Sequence, residues 1–169
     1  MNLEKYKQTV LRQAKEKGWG STSDKLSVPE KIVLIHVEIS EAYQAFLKSK
    51  ANGRHGFNEE LADVLQRTLH LGGAFGIDFS VEPEEEISIQ SPEKGFLLLH
   101  KAASEAYEYY RHKEDSKFQQ SLLSLAYILV EFSKFLQFDL ESAFLEKFQL
   151  NKKRTWNPQK LRGTYGVKE

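Results

Sequence analysis

The chain has 169 residues, of which 24 are basic and 24 acidic, so its net charge at pH 7 is zero. With 40% hydrophobic residues the composition is that of one soluble globular domain, and the balanced charge argues against a nucleic acid as partner. The lack of cysteine excludes disulfides, thiol catalysis and zinc–thiolate sites; with no signal peptide and no apolar run of the roughly 20 residues that span a membrane, we expect a cytoplasmic protein.

The first half of the chain contains three segments with helical periodicity. Apolar residues at helical spacing predict an amphipathic helix over 3–17. Ser27–Glu30 has the S-x-x-E form of a capping box, which predicts a second helix over about 29–50. Asn58 is a suitable N-cap for a third helix, because acidic residues fill the turn that follows, and we expect this helix to fade at Gly76.

The second half follows an acidic linker over 78–90 that contains Pro83. Asp139 is a suitable cap for the last helix of this half. No segment alternates apolar and polar residues with a period of two, so we predict an all-α fold, a bundle of about six helices in a single domain over 1–169. The three further helices are predicted over 92–112, 116–137 and 139–152, with an irregular tail from 155.

Two parts of the chain resemble each other. His36–Tyr43 aligns with His100–Tyr107 at an offset of 64 residues, and Gly76–Phe79 aligns with Gln137–Leu140 at an offset of 61. The difference of three residues fits a shorter connecting loop in the second copy. The sequence therefore predicts an internal duplication of one helical pair.

The two predicted repeats, over 17–80 and 91–154, differ in their acidic residues. Three acidic positions of the first repeat are neutral in the second, and only one remains acidic. A duplicated bundle of this kind carries acidic chemistry in one half only. The aligned pairs are Glu38 with Ala102, Glu41 with Glu105, Glu60 with Ser121, and Asp63 with Ser124.

The acidic residues of the first repeat form two pairs with i, i+3 spacing, Glu38 with Glu41 and Glu60 with Asp63, so each pair shares one helix face. The helix that carries Glu38 is apolar almost all round, and carboxylates there are costly unless they are paired or bound to a cation. Because the connecting loop is short, the two helices should pack antiparallel and bring the four acids together. Oxygen-only ligation favours Mg²⁺, or Mn²⁺, over zinc.

A purely structural role for the same acids is the alternative, and the chain would then be a helical interaction module instead of an enzyme. On the second helix, His36 or Tyr43 is the alternative partner of the acids. On the third helix, two acids share a face with a cation and a histidine, as on a solvated surface with ion pairs. These four residues are Glu60, Asp63, Arg67 and His70.

The ordered acidic motifs resemble those of the MazG-like all-α nucleoside triphosphate pyrophosphohydrolases. Glu59–Asp63 reads E-E-L-A-D, as in the second motif of that family, and an E-x-x-E precedes it; Val37 stands where many members have a further glutamate. The resemblance implies that a nucleoside triphosphate and water give a monophosphate and pyrophosphate, with Mg²⁺ neutralising phosphate charge and one carboxylate activating the water. The residues implied as both catalytic groups and metal ligands are Glu38, Glu41, Glu60 and Asp63.

A second set of residues is implied to bind the triphosphate. Lys147, Asn151 and Arg154 match a K-x-x-x-N-x-x-R segment that ends many members of the family, so that one site would combine acids of the first repeat with basic residues of the second. A basic helix C-terminus that complements the helix dipole is the alternative. Lys48 and Arg54, in the loop between the motif helices, are further candidates for phosphate contacts, although a charged surface loop is the simpler interpretation.

The substrate is less well defined than the reaction. Trp19 could stack on a base, or it could pack against the start of the second helix. A deoxynucleotide pyrophosphohydrolase of the house-cleaning type is the leading hypothesis, and a hydrolase of the phosphoribosyl-ATP type is the alternative. Apolar helix faces are compatible with a homodimer.

Overall fold

The computed structural model describes residues 1–84 and 86–153, and within these residues it is helical with no strand. The predicted all-α bundle is thereby confirmed. A short 3₁₀ turn over Ser23–Lys25 precedes the second helix, and the tail predicted from 155 lies outside the described residues. The helices are α1 (Leu3–Lys17), α2 (Val28–Leu47), α3 (Phe57–Ala74), α4 (Pro92–Arg111), α5 (Asp115–Phe135) and α6 (Leu140–Lys153).

Local capping residues fix several helix ends. The Asn2 side chain accepts a hydrogen bond from the Lys5 amide at 2.9 Å and opens α1. Gly18 closes α1 in the left-handed region, with φ of 71°, where a residue without Cβ is favoured. Ser91 caps α4 by accepting from the Lys94 amide at 3.2 Å. These ends follow from short-range sequence signals.

Two predicted helix ends are wrong. Helix α2 ends at Leu47 and not near 50, because the chain turns at Ser49, which adopts a φ of 54°. Helix α3 begins at Phe57 with Gly56 as its N-cap. Asn58 therefore lies inside the first turn of α3, and its side-chain amide donates across the loop to Asn52 Oδ1 at 2.9 Å.

Helix α3 lies at the centre of the bundle and contacts α1, α2, α5 and α6. The helices also pack as two sequential pairs, α2 with α3 and α4 with α5, and the pairs meet through α2 with α4 and through α3 with α5. One continuous cluster of buried aliphatic and aromatic side chains joins all six helices. Helix α3 therefore lies next to α1, the first helix of the chain, and next to α6, the last described helix.

No single helix among the described residues is long and apolar enough to cross a membrane. One helix pair, α5 with α6, passes that test by length and composition, but the two helices meet at a bend of 117°.

Candidate active site

Three carboxylates converge where α2 packs on α3. Glu38 belongs to α2, and Glu60 and Asp63 lie one turn apart on α3. One oxygen of each side chain lies within 4.8 Å of an oxygen of each of the others. The three residues are only 7%, 2% and 8% exposed, in chain order. We call these three residues the carboxylate triad.

Basic side chains surround the triad and neutralise part of its charge. The Arg67 guanidinium donates to Glu38 Oε1, through Nη2 at 2.5 Å and Nε at 3.0 Å. The Lys147 ammonium, on α6, lies 2.7 Å from Asp63 Oδ2 and 2.5 Å from Glu59 Oε1. His55 Nδ1 lies 3.0 Å from Glu60 Oε1. The charged residues are therefore paired, as buried ionic groups must be.

Burial and mutual repulsion perturb the acids. Burial raises the pKa of Glu60 to about 7, and the charges of Glu38 and Asp63 contribute to the rise. The Lys147 charge and the hydrogen bond from His55 lower the pKa but do not cancel this rise. Burial also raises the pKa of Asp63. Burial would lower the pKa of Lys147, but the carboxylates of Asp63 and Glu59 outweigh it and raise that pKa. The triad therefore resists carrying three negative charges at once, and a bound cation would relieve this resistance.

A hard divalent cation fits this donor set. The ligands are carboxylate oxygens only, they converge from two rigid helices, and their like charges repel at short range. Such a set suits Mg²⁺ or Mn²⁺ rather than a thiolate-seeking metal. The site can therefore hold a concentrated positive charge between α2 and α3.

A cavity of about 420 Å³ opens beside the triad. Glu38 and Asp63 form part of its wall, and residues from α1, the α1–α2 loop and α6 complete it. The wall combines an indole ring, three carboxamides, a histidine and three cationic side chains. These are Trp19, Gln13, Gln66, Asn151, His70, Lys25, Lys31 and Arg67.

Comparison with known protein families decides the class of the protein. A model described as dUTPase matches residues 3–158, which is nearly the whole chain. The chain belongs to the dUTPase family. The comparisons with curated proteins and with solved structures found no match. As a member of this all-α dUTPase family, the protein is a nucleotide pyrophosphohydrolase, a hydrolase acting on acid anhydrides, and enzymes of this type use divalent metals.

The resemblance to the MazG-like family was therefore a wrong assignment, since the dUTPase family is a different one with a related all-α fold. The E-E-L-A-D string of Glu59–Asp63 describes how an acidic pair is presented on a helix, and related folds share that local arrangement. The reaction class survives the correction because dUTPases are also nucleotide pyrophosphohydrolases, and membership of this enzyme family excludes the helical interaction module.

The structure brings some predicted site residues of this dUTPase-family enzyme together. Lys147 reaches the triad, and the Asn151 amide donates to Gln66 Oε1 at 3.1 Å and to Asp63 Oδ1 at 3.4 Å. Trp19 lines the cavity. Their role in binding substrate stays a prediction.

Other predicted site residues lie apart from the triad. Glu41 is exposed on α2 and does not belong to the triad, so its role as a ligand also stays a prediction. Lys48 is exposed at the end of α2. Arg54 lines a different cavity, of about 930 Å³, together with Lys147. Arg154 lies outside the described residues.

The structural alternatives for the acids are also corrected. The face of α3 that carries Glu60, Asp63 and His70 is buried and not solvated, because α2 and α6 cover it. The partner of Glu38 is neither His36 nor Tyr43 but Arg67, which reaches across from α3.

Several residues at the site were not predicted as site residues. Arg67 was considered only as an ion-pair residue of a solvated face, and Gln66 was not considered, although both follow Asp63, by four and three residues, on the same helix. Gln13 and His55 had no usable signal: Gln13 arrives from α1 and His55 from a loop, and no local pattern indicates where those segments pack.

The raised pKa of Glu60 predicts a pH-dependent effect on folding of the enzyme without metal. Because the folded-state pKa, about 7, exceeds the ordinary value of 4.5, ionising Glu60 destabilises the fold increasingly as pH rises between these values. Glu60→Gln should therefore raise the free energy of unfolding by roughly 2–3 kcal/mol at pH 8. Urea titrations in EDTA at pH 8 and pH 5 measure this, and most of the gain should vanish at pH 5. An equal gain at both pH values would contradict the assigned cause.

Proposed function

We propose that the enzyme hydrolyses dUTP to dUMP and pyrophosphate, using Mg²⁺ held by Glu38, Glu60 and Asp63. The observation that carries the proposal is the position of this buried triad beside a cavity whose wall includes Glu38 and Asp63 together with carboxamides and an aromatic ring. The cavity volume of about 420 Å³ is in the range of small-ligand sites. Membership of the dUTPase family supports uracil as the base.

The polar residues next to the triad suit the phosphate chain. When bound, Mg²⁺ supplies Lewis-acid stabilisation of the phosphate charge that develops during hydrolysis. Arg67 and Lys147 already lie at the carboxylates, so they can contribute positive charge to phosphate oxygens at the same place. A carboxylate oxygen that is not engaged with the cation can orient or deprotonate the attacking water.

The carboxamides and the aromatic ring of the cavity suit a base. A carboxamide offers both a donor and an acceptor, which matches the alternating groups on the edge of uracil. The Gln13 amide is held by the Phe148 carbonyl at 3.4 Å, and the Gln66 amide by the Phe144 carbonyl at 3.3 Å, so both are positioned before substrate arrives. Trp19 provides an aromatic face in the same cavity, on which a base can stack.

Association of two copies is a further part of the proposal. Val33 and Val37 on α2 and Leu97 on α4 are 59%, 42% and 60% exposed. Since α2 and α4 pack together, these side chains form an apolar face that a homodimer would cover.

Pyrophosphate release from a panel of substrates tests the proposed function. The panel contains dUTP, UTP, dCTP, dTTP and phosphoribosyl-ATP, each with Mg²⁺, with Mn²⁺ and with EDTA. We expect metal-dependent release with dUTP as the preferred substrate. Preference for phosphoribosyl-ATP would support the alternative substrate class. Preference for dCTP or dTTP would keep the chemistry but reject uracil, and preference for UTP would keep uracil but reject the deoxyribose.

Gln13→Leu tests the assignment of the base-reading wall. Loss of one hydrogen-bonding group at the base costs about 1.4 kcal/mol, so KM for dUTP should rise roughly tenfold while kcat changes little. Steady-state kinetics measures both constants. Gln8→Leu is the matched control, because Gln8 lies on the same helix but is exposed and away from the cavity. An unchanged KM in Gln13→Leu would remove this residue from the substrate site.

A further inference from the structure

The second helical pair repeats the backbone of the first. Adding 64 to the bounds of α2, Val28–Leu47, gives those of α4, Pro92–Arg111, at both ends. The last residue of α3, Ala74, corresponds in the same way to the last residue of α5, Phe135, at an offset of 61. Helices α2 and α4 therefore match the offset of 64 at both ends, and α3 and α5 match the offset of 61 at their last residues, while α5 begins three residues earlier than this offset predicts.

The turns that follow these helices also correspond. Ser49 and Lys113, at an offset of 64, have φ values of 54° and 58°. Gly76 and Gln137, at an offset of 61, have φ values of 75° and 58°. Positive φ is uncommon for residues other than glycine, so its recurrence at matched positions indicates one backbone design used twice.

The contact between the pairs has the symmetry that a duplication produces. His36 and His100 are aligned residues, and their Nδ1 atoms lie 2.8 Å apart. Their rings stack with centroids 5.1 Å apart and an interplanar angle of 12°. Equivalent residues touch each other where a local two-fold axis passes between two copies.

A cavity of about 380 Å³ lies between the second pair and the linker before it, and part of its wall uses positions that line the active-site cavity in the first pair. Four wall positions of the two cavities correspond. They are Leu34 with Leu98, Glu38 with Ala102, Asp63 with Ser124, and Arg67 with Ile128. The counterpart of Glu60, Ser121, also lines the second cavity.

At the corresponding positions of the second cavity, all the charged groups of the triad and its arginine are replaced by uncharged ones. A methyl group and two hydroxyls occupy the triad positions, and Ile128 replaces the arginine that pairs with Glu38. Losing acids and cation together leaves no unpaired buried charge, which is why the substitution is compatible with folding. Within residues 1–84 and 86–153, the one group of three potential metal ligands is the triad of the first pair.

We infer that the cavity between α4 and α5 is a metal-free copy of the active-site cavity, and that its frame binds a divalent cation once its three carboxylates are restored. The two helical pairs would then share one fold, and the second pair would lack a metal site only because three side chains differ. This inference goes beyond the proposed function and does not depend on its substrate.

The test removes the first site and rebuilds it in the second pair. The starting protein is the full chain with Glu38→Gln and Asp63→Asn, to which Ala102→Glu, Ser121→Glu and Ser124→Asp are added. Titration with Mn²⁺, followed by electron paramagnetic resonance, counts the bound ions. We expect no bound ion in the starting protein and one per chain after restoration.

The matched control carries Ala102→Gln, Ser121→Gln and Ser124→Asn, which have nearly the same shapes without the charges. It should fold and bind no Mn²⁺. If the acidic variant fails to fold, Ile128→Arg is added to supply the counter-charge seen in the first pair. A folded acidic variant that binds no ion, or a neutral control that does not fold, would overturn the inference. Mn²⁺ binding by the wild type is counted in parallel, and its absence would contradict the proposed function alone when the restored second site does bind an ion.

Discussion

Replacing Glu38 with glutamine is expected to lower kcat/KM for dUTP by about 10²- to 10³-fold in the presence of Mg²⁺. The change keeps the size of the side chain but removes one of the triad's three carboxylates, and it exchanges a carboxylate for an amide. Metal ions contribute several kcal/mol to stabilising phosphate charge in the transition state, and 1.36 kcal/mol corresponds to a factor of ten in rate. Loss of one ligand therefore accounts for two to three factors of ten.

Pyrophosphate release and Mn²⁺ binding, measured on the same preparations, check this expectation. Glu93→Gln is the matched control, because Glu93 is an exposed glutamate of α4 outside the triad. Glu38→Gln should bind Mn²⁺ more weakly, and the control should resemble the wild type in both measurements. Full activity in a Glu38→Gln protein that remains folded would show that the triad does not serve the reaction.

Replacing Lys147 with methionine should destabilise the metal-free protein by roughly 3 kcal/mol, at the lower end of the 3–5 kcal/mol that follows when one partner of a buried ion pair is removed. Lys147 is 3% exposed and contacts both Glu59 and Asp63, so its loss leaves two carboxylates without their cation. The lower end applies because burial already raises the pKa of Asp63, and that group can take up a proton instead of remaining charged.

Urea unfolding in EDTA at pH 8 measures the loss, with Lys152→Met as the control. Lys152 lies five residues further along α6 and is exposed, so its replacement should change the free energy of unfolding by less than about 0.5 kcal/mol. Adding Mg²⁺ should recover part of the stability of Lys147→Met, because a bound cation supplies the missing charge. A Lys147→Met protein as stable as the control would contradict the pairing described for α6.

The local features of the protein could be predicted from the sequence, because short-range physics determines them. The all-α fold could be predicted from apolar residues at helical spacing and a few capping side chains. It also followed from the lack of segments that alternate apolar and polar residues. The i, i+3 spacing of Glu60 and Asp63 places them on one face whatever the rest of the chain does. The approximate helix boundaries also followed, with errors at Ser49 and Asn58, where a turn conformation overrode the expected end.

The choice among the sequence's acids and the composition of the cavity wall depended on tertiary packing. Glu38 and Glu41 share a face by spacing, yet the packing of α2 on α3 buries Glu38 and leaves Glu41 exposed. Lys147 meets Asp63 and Gln13 meets the Phe148 carbonyl only because α1 and α6 both pack against α3. Such contacts join residues far apart in sequence, and their energy depends on the whole assembled core, which no local pattern encodes. The sequence by itself therefore determined which chemical groups each helix carries, and tertiary packing decided which of them share a site.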